Sequence, residues 1–434
     1  MTKVLKFGGT SVGSAANMKR VAEIIRHEKA RITVLSAMSG TTDALVRIVS
    51  AAAEKDQSTI DDRIAMLTDK YTRCIEELLR ERKQQALARM NATFGLIRDE
   101  AAAFEEYESE RKIIAQGELL TSAIFTAYLQ ETGLKAECLY SPDFMVKDPG
   151  EKVDTERVGR ALARVAGDDS TFFVAQGFIC SDSQGRIDNL GRGGSDYSAA
   201  LMGAAVEADE VQIWTDIDGM HNNDPRFVDN TRPIRTMSFD EAAELAYFGA
   251  KILHPATIQP CKDHGIAVLL KNTMDPEAPG TTISNRDDDT KSFHAVAAKD
   301  GITVIRIHSA RMLMAYGFLR KVFEIFEQYR TPIDMITTSE VAVSLTVDND
   351  SHIDEIVRDL SALGSIEIER GNSIVCVVGR MEHGDAGLAA RVFECVRGVP
   401  IKMISYGASH RSLAILIDTE HKKRTLQCLN DGLF

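Results

Sequence analysis

The sequence has little of what would place a protein in a membrane, in a disulfide-built scaffold or on a nucleic acid. No segment approaches the roughly 18 consecutive apolar residues of a membrane span. The opening stretch, MTKVLKFGGTSVG, has no apolar run of signal-peptide length. The seven cysteines (Cys74, Cys138, Cys180, Cys261, Cys376, Cys395, Cys428) are odd in number and never form a CxxC pair. That spacing argues against a disulfide framework or a zinc site and for reduced thiols in the cytoplasm. Positive charge is in deficit, with 51 Lys and Arg against 64 Asp and Glu, a net charge of −13. Such a balance disfavours unspecific attraction to nucleic acid or an anionic membrane. An anionic ligand would require positive charge to be concentrated locally. Two common phosphate-binding signatures, GxxxxGK[ST] and GxGxxG, are also absent.

What is present is the composition of an ordinary globular chain: 434 residues, 44% hydrophobic and 26% charged. Short β-rich apolar runs predict strands at Lys3–Phe7, Ile32–Ser36, Thr171–Phe178, Glu210–Trp214 and Ala267–Lys271. Their near-continuous apolar character suits strands covered by helices on both faces. Between Asp43 and Gln130 no strand pattern appears, and the Ala-, Glu-, Arg- and Leu-rich stretch predicts consecutive helices. Near Asp275–Lys291 the composition shifts to Pro, Gly, Thr and the run Asp287–Asp289, which reads as a linker or an edge hairpin. An internal repeat follows. Gly317-Phe-Leu-Arg-Lys-Val-Phe-Glu324 matches Gly387-Leu-Ala-Ala-Arg-Val-Phe-Glu394, and Pro332-Ile-Asp-Met-Ile336 echoes Pro400-Ile-Lys-Met-Ile404. The expected organisation is an α/β domain over 1–290, largely helical over 43–130, then two α+β modules at 300–370 and 371–434.

Five short motifs carry chemistry. Lys6-Phe7-Gly8-Gly9-Thr10-Ser11 follows the first strand and precedes a helix expected near Asn17. Glycines there admit an anion close to the backbone, and Lys6 adds a full charge; an ordinary Gly-Gly turn with a surface lysine has the same spacing. Gly191-Arg192-Gly193-Gly194-Ser195-Asp196 opens a second helical run. Its arginine can grip a carboxylate bidentately, and Ser195 or Asp196 can equally serve as a helix cap. Trp214-Thr215-Asp216-Ile217-Asp218-Gly219 ends a strand where open α/β sheets bind ligands. Phe248-Gly-Ala-Lys251-Ile252-Leu-His-Pro255 sets a lysine in an apolar stretch, either snorkelling or reaching a phosphate. In Ile113–Leu120, Glu118 stands beside an apolar stripe, as a solvated flank or as the partner of a ligand ammonium.

Taken in series with the Ser36-Ala-Met-Ser-Gly-Thr-Thr42 turn and Asn223–Arg226, these motifs resemble those of the aspartate kinases of the amino-acid kinase superfamily. The C-terminal repeat resembles the paired ACT regulatory domains of that family. The resemblance implies an amino-acid kinase fold, a mainly parallel open sheet between helices, followed by two ferredoxin-like ACT modules. It also implies transfer of the ATP γ-phosphoryl group to the β-carboxylate of L-aspartate. By motif, Lys6, Asp196 and Lys251 would be catalytic. Lys6, Phe7, Gly8, Gly9, Ser36, Thr215, Asp216, His221, Arg226, Lys251 and Ile252 would hold the nucleotide. Thr42, Glu118, Arg192 and Ser195 would hold aspartate. His221 stands where some relatives carry tyrosine. Mg²⁺ would ride on the nucleotide phosphates, with no dedicated protein ligands.

The regulatory pattern is similar to that of lysine-inhibited members. It implies an effector site from Met312, Ala315, Phe318, Leu319, Ile333, Asp334, Ser339 and Glu340, with Ala315 where those relatives can have serine. A homodimer through the ACT modules is the corresponding expectation. Other readings are a different amino-acid kinase or a catalytically silent amino-acid sensor. No GxGxxG unit follows the repeat, so no dehydrogenase half is expected.

Overall fold

The computed structural model describes all residues except 149–151, 168–169, 250–252, 254, 287–291, 313–315 and 382–386. Lys251, Ile252, Ala315 and the Asp287–Asp289 run therefore lie outside the described residues. The chain forms two compact units. One comprises Met1–Met220, Arg235–Phe239 and Leu253–Asp287; the other comprises His221–Ile234, Asp240–Ile252 and Asp288–Phe434.

The elements run β1 (Lys3–Phe7), α1 (Ala15–Glu28), β2 (Ile32–Leu35), α2 (Thr41–Glu54), α3 (Gln57–Leu78), α4 (Lys83–Ala102) and α5 (Glu106–Glu131). They continue through β3 (Ala136–Cys138), α6 (Thr155–Gly167), β4 (Phe172–Gln176), β5 (Ile179–Ser181), β6 (Ile187–Asn189), α7 (Gly194–Ala205) and β7 (Glu210–Thr215). After these come β8 (Thr236–Ser238), α8 (Phe239–Tyr247), α9 (Gln259–Asp263), β9 (Ala267–Asn272) and β10 (Thr281–Ser284).

The first unit is built on an eight-stranded sheet of order β3-β4-β2-β1-β7-β9-β10-β8. Its neighbours are parallel except at β9–β10. The central strands are apolar on both faces because helices cover both, and Val4, Leu5, Phe7, Ile32, Val34, Val211 and Ile213 are all buried. From β1 the chain works outward through β2 and returns to β7 on the other side. That reversal opens a crevice beyond the carboxyl ends of β1, β2 and β7.

The helical stretch expected between Asp43 and Gln130 is α2 to α5. In α3, Asp56 caps the N-terminus by accepting from the Thr59 amide, and Ile60, Ile64, Leu67, Tyr71, Ile75 and Leu78 recur at helical spacing on the buried face. They pack with Met90, Phe94, Ile97, Ile124 and Phe125 into one cluster with the sheet, each such side chain contributing about 1.5–3 kcal/mol. Every expected strand is present, β1 with the expected bounds and the others trimmed or extended by one or two residues at an end. The strands β3 and β8 were not expected; at three residues each they carry too little alternation to register as a pattern. The Asp275–Lys291 stretch contains β10, which turns back antiparallel onto β9, and β8 lies beyond β10 at the edge of the sheet.

The second unit holds β11 (Phe293–His308), α10 (Phe318–Gln328), β12 (Ile336–Thr338), β13 (Ala342–Val347), α11 (Ile353–Leu360), β14 (Ser365–Gly379), α12 (Leu388–Cys395), β15 (Met403–Tyr406), β16 (Ser412–Asp418) and α13 (Lys422–Leu433). Its six-stranded antiparallel sheet has the order β12-β13-β11-β14-β16-β15. The long strands β11 and β14 pass through both halves, and their register shifts between Lys299 and Val304 mark the join. One half buries Ile305, Val322, Phe326, Val343, Leu345 and Ile356 under α10 and α11. The other buries Val375, Val392, Leu413, Ile415 and Leu426 under α12 and α13. The repeated Pro-Ile-x-Met-Ile segments lead into β12 and β15, the two outer strands.

Candidate active site

The site is assembled where the first unit's central strands end. Lys6 lies one residue before the end of β1, is 8% exposed, and sets its Nζ 2.7 Å from Asp196 Oδ1. Asp196 comes from the first turn of α7. The Gly8 amide donates to the Trp214 carbonyl at the end of β7. Gly9 has a steric reason to be glycine, since a Cβ there would stand 2.8 Å from the Ala37 carbonyl oxygen. Its own carbonyl accepts from the Ser39 amide. The β1–α1 and β2–α2 loops can lie against each other only because residue 9 carries no side chain.

Helix α7 begins at Gly194 behind an N-cap at Gly193 with φ of 73°, and no side chain caps it. Ser195 and Asp196 are thus inside the first turn and not caps. Gly191 and Gly193 both occupy the left-handed region, where glycine alone is unstrained. The uncapped N-terminus brings positive potential to the site.

Lys6, Ser36, Thr42, Glu118, Arg192, Ser195 and Asp196 line one cavity of about 310 Å³ together with Phe178, Gly191, Gly193 and Gly194. Glu118 is 3% exposed, so it is no solvated flank. Its Oε1 accepts from the Ala37 amide at 3.2 Å, and its Oε2 is buried with no hydrogen-bond partner. Burial pushes its carboxyl up to about 7, against a smaller opposing pull from the Ala37 amide. Arg192 is exposed and forms no hydrogen bond or ion pair among the described residues. Among the described residues the cavity therefore holds one pre-formed cation–carboxylate pair, one buried carboxylate oxygen lacking a donor, and one guanidinium lacking an acceptor.

Several shaping residues were not foreseen. Phe178 lines the cavity with φ of 68°, a strained conformation for a bulky residue. It is held by its amide donating to Ser198 Oγ at 3.0 Å and its carbonyl accepting from Leu190 at 2.8 Å. At Gly177 a Cβ would meet Ser195 Cβ at 2.6 Å. Asp188 in β6, buried, binds Arg111 Nε at 2.6 Å and Lys147 Nζ at 2.9 Å, and fixes the hairpin leading into Arg192. A glycine after a strand was the available hint for the first two, and nothing local pointed to the third.

Other expected residues fall elsewhere. The Phe7 side chain stacks on Trp214 in the core, ring centres 5.8 Å apart, and does not line the cavity. Thr215 Oγ1 shapes the turn at Ile217, and Asp216 is exposed. In the second unit, His221 Nδ1 bonds Thr231 Oγ1 at 3.0 Å, and Arg226 pairs with Asp224 at 2.7 Å. Among the effector residues, Phe318 is buried in the α10 core, against which Met312, Leu319 and Ile333 pack. Ser339 Oγ accepts from the Ala342 amide in the β12–β13 turn, and Glu340 is exposed. The Asp334 carboxylate is bound by Lys299 and Tyr247.

Residues 1–272 match the amino acid kinase family, and residues 375–433 match an ACT domain. The chain is 33% identical to the lysine-sensitive aspartokinase 3 of Escherichia coli (strain K12), over 99% of each chain. It belongs to the aspartokinases. Aspartokinase 1, chloroplastic, of Arabidopsis thaliana is 32% identical over the whole of this chain and 80% of its own. Among solved structures, E. coli aspartokinase III in complex with aspartate and ADP (R-state) superposes with a TM-score of 0.88 at 32% identity, all of both chains being covered. The same enzyme in complex with lysine and aspartate (T-state) gives 0.83 at 32% identity, covering 100% of this chain and 99% of that one. No helix among the described residues of this aspartokinase is long and apolar enough to cross a membrane.

Proposed function

We propose that this site transfers the γ-phosphoryl group of ATP to the β-carboxylate of L-aspartate, giving 4-phospho-L-aspartate, in the cytoplasm. The observation that carries the reading is the charge pattern of the cavity. The unpartnered Glu118 Oε2 suits a substrate ammonium, Arg192, unpaired among the described residues, suits a carboxylate, and Lys6 stands beside them, fixed by Asp196. Thr42 and Ser195 add hydroxyls on the aspartate side, and Ser36, Gly8 and Gly9 face the phosphates. Thr215, Asp216, His221, Arg226, Lys251 and Ile252 are the nucleotide residues in this reading.

The acceptor carboxylate is ionised at neutral pH, so no general base is needed. The work left to the chain is to align two anions and to neutralise charge on the group in flight. Mg²⁺ enters with the nucleotide, whose phosphate charge it offsets. Among the described residues no cluster of three or more His, Cys, Asp or Glu stands together to hold a dedicated ion. The two repeats of the second unit serve as ACT modules that pair two copies of the chain, and the first takes a cationic amino acid, L-lysine, at Met312, Ala315, Phe318, Leu319, Ile333, Asp334, Ser339 and Glu340.

The test is ATP-dependent hydroxamate formation with aspartate and then glutamate, each titrated with lysine and threonine. Aspartyl hydroxamate should form and glutamyl hydroxamate should not, with inhibition by lysine. Absence of the aspartyl product with Mg-ATP present refutes the assignment.

A further inference from the structure

Glu118 and Arg192, the two groups that a zwitterionic amino acid would span, come from different parts of the first unit, and their separation has to be held. Glu118 lies in α5. Arg192 follows the β5–β6 hairpin, just beyond Gly191 in its left-handed conformation. Among the described residues that hairpin is a two-stranded sheet of its own, with no strand pairing to the eight-stranded sheet. Its position rests on other ties. One is backbone: the Lys147 amide donates to the Ser181 carbonyl at 2.8 Å, and the Ser181 amide to the Met145 carbonyl at 2.9 Å.

The other tie is ionic and centres on Asp188, whose side chain is 6% exposed. Its Oδ1 accepts from Arg111 Nε at 2.6 Å and its Oδ2 from Lys147 Nζ at 2.9 Å. Burial opposes the Asp188 charge, but Lys147, the Asn189 amide and Arg111 prevail and hold the carboxyl below its ordinary range. From there the bonds continue toward Arg192. Asp188 Oδ1 also accepts the Asn189 amide at 2.8 Å, and Asn189 Oδ1 accepts the Gly191 amide at 3.1 Å. At the other end, the Arg111 guanidinium is braced 3.7 Å from the centre of the Tyr107 ring, about one turn earlier in α5. Arg111 and Glu118 stand seven residues apart in that helix. Two turns of α-helix put them on one face, about 10 Å apart along the axis.

We propose that Arg111 and Asp188 are positioning residues for the amino-acid substrate. Their bond fastens the hairpin that presents Arg192 to the helix that carries Glu118, and so sets the spacing between the carboxylate and ammonium subsites. This deepens the reading above and rests on it. A single rigid element, α5, then serves as the reference for both ends of the substrate. Lys147 holds the same carboxylate from the segment before α6, so it steadies the hairpin without linking it to α5. Misplacement by about 1 Å is costly in such a site, and here it falls on substrate binding.

Arg111→Met cuts the tie to α5 and leaves Asp188 paired with Lys147. The KM for aspartate should rise about tenfold, with kcat within about threefold and the KM for ATP unchanged. Lys147→Met cuts the other bond and spares the tie to α5, so its KM for aspartate should stay within about twofold of wild type. Asp188→Asn leaves two cations facing each other and should raise the KM for aspartate at least as far as Arg111→Met; if it does not fold, the other two variants decide. A wild-type aspartate KM in Arg111→Met overturns the proposal. So do equal rises in Arg111→Met and Lys147→Met, because a merely stabilising ion cluster would not distinguish its two cations. If the wild type forms no aspartyl hydroxamate, the kinase assignment itself fails. Calorimetric titration of aspartate into wild type, Arg111→Met and Lys147→Met then decides the spacing alone, and absent or equal binding overturns it.

Discussion

Replacing Lys6 with alanine is expected to lower kcat by about a thousandfold, the scale of losing a pre-organised charge at a transition state. The KM for aspartate should stay within about threefold of wild type, because the groups proposed here for aspartate are Glu118 and Arg192, which line the same cavity. Two features of the site make the effect large. Lys6 is mostly buried and held 2.7 Å from Asp196, so its charge sits in place before substrate arrives. Its removal also leaves Asp196 in the cavity without its cation, an added negative charge where two anions must meet. Initial-rate kinetics over both substrates decide the matter. A rise in KM for aspartate with kcat intact would assign Lys6 to ground-state binding instead.

A second large effect is expected at Glu118, and it takes the form of a pH profile. Burial raises this carboxyl to about 7, so near neutrality the unliganded site is a mixture of charged and neutral forms. Only the charged form pairs with an ammonium. Below pH about 7 the kcat/KM for aspartate should therefore fall close to tenfold per pH unit, while the KM for ATP stays flat. Glu118→Gln should abolish that dependence and cost about a hundredfold in kcat/KM.

The same residue carries a stability consequence of opposite sign. Between the unfolded and folded pKa values the native state binds the extra proton, so stability declines as pH rises through this window. The charged form costs about 3 kcal/mol above pH 7 at 1.36 kcal/mol per unit. Glu118→Gln should thus melt at a higher temperature at pH 8 while binding aspartate worse. A melting temperature that is unchanged or lower at pH 8 would show that the buried charge is compensated in the unliganded protein.

The parts of this molecule that sequence reveals are those whose physics is local. The apolar runs of β1, β2, β4, β7 and β9 announce strands because both faces are covered, and the glycines around Arg192 announce a turn because they form neither helix nor strand. Glu118 is a different matter. Helical periodicity placed it beside an apolar stripe, but α5 is buried on most of its circumference, with Gln116, Gly117, Thr121 and Ser122 inside as well. A one-sided stripe cannot predict that. The constraint on Gly177 comes from Ser195, and the partners of Asp188 come from Arg111 and Lys147, all distant in sequence. Asp334 read as an acid awaiting a cation, yet Lys299, 35 residues earlier, already fills that role.

The feared conflict between a −13 chain and anionic substrates is resolved by placement. At the cavity Lys6, Arg192 and the uncapped end of α7 set the local sign. Acids elsewhere, such as Asp334 and Asp348, are spent on cations of their own.

The sole tryptophan has a consequence for how this protein can be watched. Trp214 is buried, its carbonyl accepts the Gly8 amide, its ring stacks on Phe7, and its indole N–H donates to Gln212. All tryptophan light from the chain therefore originates against the glycine loop. Its emission should be that of a dry, rigid indole, with the Lys271 ammonium 5.2 Å from the ring centre, and a charge settling on the loop should shift its colour through the local field. The fold has built its own dye into the site, with no second one to blur it.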